Sequence, residues 1–139
     1  MKKLNLIIYG ATGTIGSSTL SVVNQNKHLF NIEGITCNRN LKKLLLIANR
    51  YKIKKIGFNA NIEKLDKNKF KGFKVYDNIT KFDNMVSNKT DVVIYAISGL
   101  SSLNLLLELL KKGKKIGIAN KECIISYGKK IIKIANKYK

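Results

Sequence analysis

The sequence predicts a single α/β domain in which helices cover both faces of a doubly wound, mainly parallel sheet. Short continuous apolar runs alternate with segments whose apolar residues recur every three or four positions. That alternation is typical of buried parallel strands joined by crossover helices. The chain has 139 residues, 45% of them hydrophobic, and no proline. This length is enough for one domain with its own core, so residues 1–139 are treated as one unit.

The first half of the chain alternates strands and helices. The apolar run Leu4–Tyr9 predicts a buried first strand, and an apolar period typical of a helix begins at Thr14. A second strand is predicted over 31–37. A helix follows over 41–51 with its leucines on one side, so we expect Lys43 to face water.

The second half continues the alternation around one irregular stretch. For residues 60–88 we predict a helix, a short strand near 74–76 and another helix. The other predicted elements are strands over 55–58, 91–97 and 115–119, a helix beginning at Ser101 or Ser102 that Gly113 stops, and a final helix through Ile131 and Ala135. A terminal helix in this architecture usually leads into another strand, so we expect the complete fold to have closing elements beyond it.

A glycine-rich turn lies between the first strand and the first helix. Residues 10–16 read Gly-Ala-Thr-Gly-Thr-Ile-Gly, a relative of the dinucleotide-binding pattern in the context that makes it credible. Gly10 permits the tight turn, Gly13 lets the backbone approach a pyrophosphate, and Gly16 lets the helix pack close to the strand. Amide groups at the helix start would hold the phosphates, with Thr12 and Thr14 adding hydroxyl donors. The alternative is a turn made only for packing.

The loop after the second strand indicates which nucleotide is bound. NAD-binding domains place a carboxylate there for the ribose 2′-hydroxyl, whereas an Arg accommodates a 2′-phosphate. This loop has no carboxylate, and it presents Asn38, Arg39 and Asn40. Glu33 comes earlier, and we expect it to point from the strand into solvent. Because Arg39 can pair with a dianionic phosphate, the loop favours NADPH over NADH, unless Arg39 is only a solvated loop residue.

A polar segment follows the strand predicted at 115–119. Asn120, Lys121 and Glu122 should face the same crevice as the glycine turn, because ligands bind beyond the carboxyl ends of parallel strands. Ser98 and Gly99, which follow the preceding strand, would line that crevice with backbone. Lysine is frequent throughout the chain, so by residue type alone Lys121 could equally be a solvated side chain.

Together these segments resemble the N-terminal, Rossmann-like NADPH-binding domain of 1-deoxy-D-xylulose 5-phosphate reductoisomerases. The resemblance rests on residues 10–16, 38–40, Ala-Ile-Ser-Gly at 96–99 and Ala-Asn-Lys-Glu at 119–122, and it covers nearly the whole chain. It implies that Lys121 contacts the sugar phosphate. It implies NADPH contacts, in addition to the Gly10 turn, at Thr12, Gly13, Thr14, Ile15, Asn38, Arg39, Asn40, Asn120 and Glu122. The chain departs from the family in having Asn38 in place of a small residue and Cys123 in place of Ser.

The resemblance also implies a reaction and a metal. The family rearranges 1-deoxy-D-xylulose 5-phosphate and reduces it with NADPH to 2-C-methyl-D-erythritol 4-phosphate, using Mg²⁺ or Mn²⁺ to polarise substrate oxygens. The family's metal-binding Asp-Ser-Glu segment would follow Lys139, and the carboxylates of this chain are scattered. We therefore expect neither a catalytic residue nor a metal ligand here, and nucleotide binding without the complete reaction. In the intact family a homodimer is implied.

Composition excludes several other classes. Lys+Arg total 27 against 8 Asp+Glu, a net charge of +19. The lysines are evenly spread and only Arg39 and Arg50 are arginines, so coding bias over solvated faces explains the charge better than a nucleic-acid partner. Two cysteines and one histidine are too few for a zinc site. No apolar run approaches the roughly 18 residues of a membrane span, and we expect a cytoplasmic protein without a membrane partner.

Three alternative functions are compatible with the sequence. Another NADP-dependent oxidoreductase, such as a homoserine dehydrogenase, also places Asn-Lys at a strand end, although that family normally has a GxGxxG turn. A non-catalytic nucleotide-binding remnant is the second. An RNA-binding domain is the third, and it would need exposed aromatic side chains on a basic face.

Overall fold

The computed structural model describes residues 2–139 and contains a six-stranded sheet in which every neighbouring pair is parallel. The strands lie in the order β4-β3-β2-β1-β5-β6. Their bounds are β1 Leu4–Tyr9, β2 Phe30–Thr36, β3 Lys55–Gly57, β4 Lys74–Tyr76, β5 Val92–Tyr95 and β6 Lys115–Ile118. The predicted doubly wound parallel sheet is confirmed.

Helices connect the strands and cover both faces of the sheet, as predicted. The α-helices are α1 Thr14–Gln25, α2 Leu41–Arg50, α3 Leu103–Leu110 and α4 Lys121–Lys137. Side chains of α1 and α2 pack in a core on one face with Ile8 and Ile35. Side chains of α3 and α4 pack on the other face with Tyr9 and Tyr95. Within residues 2–139, no helix is long and apolar enough to cross a membrane.

The prediction of two helices within 60–88 is wrong. That stretch instead forms three short 3₁₀ segments, Ile62–Lys64, Lys67–Phe70 and Ile79–Met85. Each is preceded by an Asn or Asp whose side chain accepts a hydrogen bond from the backbone N–H two residues on, at Asn61, Asp66 and Asn78. Such side chains offer the backbone an alternative to helix propagation, so the segments stay short.

A β-bulge in β2 changes where Glu33 lies. Leu6 of β1 pairs with Ile32, but the next residue, Ile7, pairs with Gly34. Glu33 is therefore the extra residue of the ladder, and a bulge of this kind re-aims the side chain. The prediction that Glu33 points into solvent is wrong.

Glu33 is at the centre of a hydrogen-bonded cluster. Its carboxylate accepts hydrogen bonds from the Ser87 and Thr90 hydroxyls, each at 2.6 Å, and pairs with the Lys55 ammonium. Burial by itself would raise the pKa of this carboxyl, but the hydrogen bonds from Lys55, Ser87 and Thr90 outweigh it and hold the pKa below its usual value. Glu33 therefore links β2 to β3 and to the start of β5 as a charged group.

The strand order fixes where a ligand can bind. From β1 the chain builds outward to β2, β3 and β4, and then returns to place β5 on the other side of β1. Ligands of open α/β sheets bind beyond the carboxyl ends of the strands at such a switch point. The turns after β1, β2, β5 and β6 all lie along that edge.

Candidate functional site

The turn after β1 is fixed by close backbone contacts. Gly10 has φ +81°, and a Cβ added to it would lie 2.4 Å from the carbonyl oxygen of Ala96. Its N–H donates to the Thr36 hydroxyl at 3.0 Å, while the N–H of Ala11 donates to the Thr36 carbonyl at 2.8 Å. Only glycine fits at position 10, because both the φ value and the contact exclude a side chain.

Gly16 and Gly13 have different reasons for being glycine. A Cβ at Gly16 would lie 2.3 Å from the Gly10 carbonyl oxygen, so the close start of α1 requires glycine there. A Cβ at Gly13 would meet only that same oxygen at an ordinary 3.5 Å, and the φ of Gly13 is −81°. The protein itself could therefore accommodate a side chain at Gly13. The space left there fits a ligand that approaches the backbone closely, as the pyrophosphate of a dinucleotide does.

The start of α1 is open to such a ligand. Gly13 is its N-cap and supplies no side-chain hydrogen bond, so the amides of the first turn lack the usual capping acceptor. Thr14 and Ile15 are exposed in that turn, Ile15 at 48%. Unsatisfied amides and the positive end of a helix together favour an anion.

A crevice of about 320 Å³ opens beside this turn. Of the predicted residues it brings together Gly10, Thr12, Gly13, Asn38 and the segment 96–98. The other predicted residues do not line it, namely Thr14, Ile15, Arg39, Asn40, Gly99, Asn120, Lys121 and Glu122. These eight lie around the crevice, in helix starts and loops at the same edge of the sheet.

The crevice also has lining residues that the sequence did not predict. Asn59 follows β3, and its N–H lies 3.4 Å from the carbonyl oxygen of Asn38. Ile79, Phe82 and Ser101 complete the wall. Asn59 could have been found as the polar residue after a third parallel strand, whereas Ile79 and Phe82 belong to a segment whose structure was predicted wrongly.

The Cys37 thiol in the crevice is a poor nucleophile at neutral pH. Cys37 is buried in the lining, and burial raises its pKa to about 11. The thiolate, which is the nucleophilic form, is therefore scarce at neutral pH. Cys37 contributes shape to the crevice.

The loop after β2 presents two exposed side chains and one helix cap. Asn38 and Arg39 are exposed. The side-chain oxygen of Asn40 accepts a hydrogen bond from the Lys43 N–H at 3.1 Å and so caps α2. Within residues 2–139 no carboxylate pairs with Arg39, whose guanidinium can therefore bind an anion, and no acceptor there is bonded to the side-chain amide nitrogen of Asn40.

Lys43 does not face water, contrary to the expectation. Its side chain is half-buried, and its ammonium donates to the Thr12 carbonyl at 2.8 Å and to the Ser17 hydroxyl at 3.2 Å. A lysine stem is long enough to reach from α2 across to α1, which a helical period does not reveal. Lys43 therefore ties α2 to the glycine turn.

The side chain of Asn120 forms hydrogen bonds with other residues of the protein. It is 1% exposed, and its oxygen accepts from the Cys123 N–H at 2.8 Å, which caps α4. Its amide nitrogen donates to the carbonyls of Ile97, at 2.7 Å, and Gly99, at 2.9 Å. The side chain thereby shapes the loop that lines the crevice, and its predicted contact with NADPH stays a prediction.

Lys121 and Glu122 occupy the first turn of α4. Lys121 is exposed and Glu122 is half-buried. The Ala119 N–H donates to the Tyr95 carbonyl at 2.8 Å, so this turn leaves the sheet at the same edge as the loop after β5. The glycine turn and the residues after β6 therefore share one edge, as predicted. Across residues 2–139, no three His, Cys, Asp or Glu side chains are grouped to hold a metal ion.

Comparison with known sequences gives a consistent result. The family model described as 1-deoxy-D-xylulose 5-phosphate reductoisomerase matches residues 6–128. Among curated relatives, the reductoisomerase of Pelagibacter ubique is 39% identical over 100% of this chain and 37% of its own length. That of Clostridium acetobutylicum is 28% identical over 96% of this chain and 36% of its own. The chain thus spans little more than a third of the relatives that it matches.

Solved structures agree. The Zymomonas mobilis reductoisomerase in complex with NADPH superposes with a TM-score of 0.85 at 26% identity, covering 99% of this chain and 37% of that one. A reductoisomerase with NADPH, fosmidomycin and magnesium gives 0.85 at 27% identity, over 97% and 34%. Homoserine dehydrogenase from S. aureus gives 0.58 at 20% identity, over 99% and 31%, which is a likeness of fold alone. The chain therefore belongs to the 1-deoxy-D-xylulose 5-phosphate reductoisomerase family, as its glycine turn and Asn-Lys-Glu segment predict.

Proposed function

We propose that this chain is the NADPH-binding part of a 1-deoxy-D-xylulose 5-phosphate reductoisomerase. The observation that carries the proposal is the space at Gly13, where the fold does not require glycine but a pyrophosphate would. The relatives' names and the NADPH complex of a similar structure support the same cofactor. The homoserine dehydrogenase alternative is not favoured, since its likeness is limited to the fold.

Different residues of the chain would bind different parts of the cofactor. The amides at the start of α1, with the Thr12 and Thr14 hydroxyls, hold the pyrophosphate. Arg39 holds the 2′-phosphate, with Asn38 and Asn40 beside it. Asn120 and Glu122 serve the end nearer β6, Asn120 by fixing the loop at 97–99. NADPH, when bound, supplies the hydride of the reduction.

The remaining steps involve more than this chain. Lys121, exposed in the first turn of α4, would contact the phosphate of 1-deoxy-D-xylulose 5-phosphate. The divalent metal, Mg²⁺ or Mn²⁺, would be held outside this chain, whose described carboxylates form no cluster. We infer a cytoplasmic enzyme that acts as a homodimer when intact, and a 139-residue chain that binds nucleotide without completing the reaction. Turnover by the purified chain with either metal would contradict this last point.

Binding of NADPH by the 139-residue chain tests the proposal directly. We expect saturable enhancement of nicotinamide fluorescence with NADPH, and weaker binding of NADH. Gly13→Ala should reduce the affinity for both nucleotides at least tenfold, because its Cβ occupies the space for the pyrophosphate. The same variant should change the free energy of unfolding by less than about 1 kcal/mol, because the Cβ makes only an ordinary contact. Unchanged binding by Gly13→Ala, or preference for NADH, would overturn the assignment.

A further inference from the structure

We propose that Lys43 is a specificity-determining residue, a second cation that holds the 2′-phosphate of NADPH together with Arg39. The inference rests on the proposed binding of NADPH to this chain. It adds a residue that lies outside the Asn-Arg-Asn loop and outside the glycine turn. Its role was hidden in the sequence, where Lys43 is one of many lysines in the chain and lies on an amphipathic helix.

The ammonium of Lys43 has unused hydrogen-bonding capacity. An ammonium carries three N–H donors. Two of them reach the Thr12 carbonyl and the Ser17 hydroxyl, at 2.8 and 3.2 Å. These two contacts fix the ammonium in the gap between α1 and α2, and one donor is left for a further acceptor.

The charge of Lys43 is not neutralised by a carboxylate within residues 2–139. The ion pairs there are Glu33–Lys55, Asp77–Lys81, Glu108–Lys111 and Asp83–Lys112. Lys43 contacts only a carbonyl and a hydroxyl, although its side chain is half-buried. A partly desolvated cation without a counter-ion is costly to maintain, and an anion bound beside it would remove that cost.

The surrounding charges point the same way. The first turn of α2 contains no acidic residue and instead carries Lys42 and Lys43, three and four residues after Arg39. The positive end of a helix is normally complemented by acidic side chains, so three cations there leave an excess of positive potential. A dianionic phosphate offsets this excess, whereas a ribose hydroxyl does not.

The position also matches the 2′-substituent. In dinucleotide-binding folds the adenosine ribose lies at the end of the second strand, beside the glycine turn. Thr12 and Asn38, one from each of these two segments, line the same crevice. Lys43 holds the carbonyl of Thr12 and lies four residues after Arg39. Arg39 and Lys43 do not line the crevice themselves, so they would reach the 2′ position of a ribose between the two segments from the loop after β2 and from α2.

Titration of the 139-residue chain with NADPH and NADH tests this role. Lys43→Met keeps the apolar stem and removes the charge. We expect it to weaken NADPH binding about tenfold, the usual effect of losing one charge-assisted hydrogen bond, and NADH binding less than twofold. Lys43→Arg should retain NADPH affinity within about threefold. The matched control is Lys54→Met, which removes the same charge from an exposed position just before β3, at the opposite edge of the sheet, and should leave the ratio of the two affinities unchanged.

The outcomes distinguish a Lys43 that binds the 2′-phosphate from a Lys43 that only fixes the glycine turn. Equal losses for NADPH and NADH in Lys43→Met would show that Lys43 only fixes the turn, and would overturn the proposal, as would no loss at all. If Lys43→Met unfolds, Lys43→Gln replaces it, because its amide can still donate to the Thr12 carbonyl while the charge is gone, and the same selective loss of NADPH affinity is expected. Absence of NADPH binding by the wild-type chain would instead refute the proposed function, and this inference with it.

Discussion

The side-chain amide of Asn120 donates to the carbonyl oxygen of Ile97 at 2.7 Å, so the residue that caps the start of α4 fixes the loop that follows β5. A second bond reaches Gly99 in the same loop, and the side-chain oxygen caps the helix. Two adjacent strand ends are thereby fixed to one another by one buried side chain. The crevice wall at 96–98 depends on that link.

Replacing Asn120 should therefore destabilise the fold and loosen the crevice together. We expect Asn120→Ala to lower the free energy of unfolding by about 2–3 kcal/mol, because it removes a helix cap and leaves two carbonyls without their donor. Chemical denaturation would measure this. Asn61→Ala, which removes an exposed cap of a 3₁₀ segment, is the control and should cost about 1 kcal/mol or less. Similar losses in the two variants would contradict the linking role of Asn120.

Two glycines in helices should respond in opposite ways to alanine. At Gly16 the new Cβ would lie 2.3 Å from the Gly10 carbonyl oxygen and 2.5 Å from the Cα of Ala11, both backbone atoms. Gly16→Ala should lower the free energy of unfolding by about 3 kcal/mol, because α1 must move. At Gly128 nothing lies within 4 Å, and Gly128→Ala should raise it by about 0.5–1 kcal/mol through reduced freedom of the unfolded chain. Equal effects in thermal or chemical denaturation would contradict the close packing of α1.

The fold could be predicted from the sequence wherever local pattern and tertiary packing agree. The strands and the four α-helices have apolar periods that match the faces they bury. The glycine turn lies between a strand and a helix in the structure, as it does in the prediction. The stretch 60–88 failed because its caps at Asn61, Asp66 and Asn78 act at short range and end each turn early. The spacing of apolar residues does not reveal that polar side chains compete for the backbone N–H groups.

The segments that meet at the candidate site were predicted from the sequence, whereas the partners of their side chains were not. The sequence indicated which segments meet at the edge of the sheet, because parallel strands share one carboxyl end. It could not show that Asn120 is consumed by internal hydrogen bonds, or that Lys43 reaches the glycine turn. Glu33 was misplaced for a third reason, since it is itself the extra residue of the β2 bulge, which re-aims its side chain. All three features depend on interactions between residues that are distant in the sequence.

Glu33 should make stability depend on pH. Its pKa in the folded protein is lowered, since hydrogen bonds from Lys55, Ser87 and Thr90 outweigh the opposing effect of burial. A carboxyl with a depressed folded pKa contributes stability that is present above its unfolded pKa and is lost as the pH falls through the folded pKa. We expect Glu33→Gln to cost about 1–3 kcal/mol at pH 7 and progressively less below about pH 4.5.

Denaturation of wild type and Glu33→Gln across pH 3–7 would measure that difference. Asp77→Asn is the control, because Asp77 forms an exposed i,i+4 pair with Lys81 and should contribute about 0.5 kcal/mol or less at any pH. A constant difference between wild type and Glu33→Gln over the whole range would show that the carboxylate charge is not what stabilises the cluster.

Arg39→Glu should reverse the nucleotide preference. Arg39 is exposed in the loop between β2 and α2, beside Asn38 of the crevice lining. A carboxylate there repels the dianionic 2′-phosphate but can accept a hydrogen bond from a ribose 2′-hydroxyl. We expect NADPH affinity to fall at least a hundredfold and NADH affinity to change less than about threefold, measured by fluorescence titration. Arg50→Glu makes the same change of charge at the other arginine, which is exposed at the far end of α2, and should preserve the preference. Equal losses for both nucleotides in Arg39→Glu would place the 2′-phosphate elsewhere.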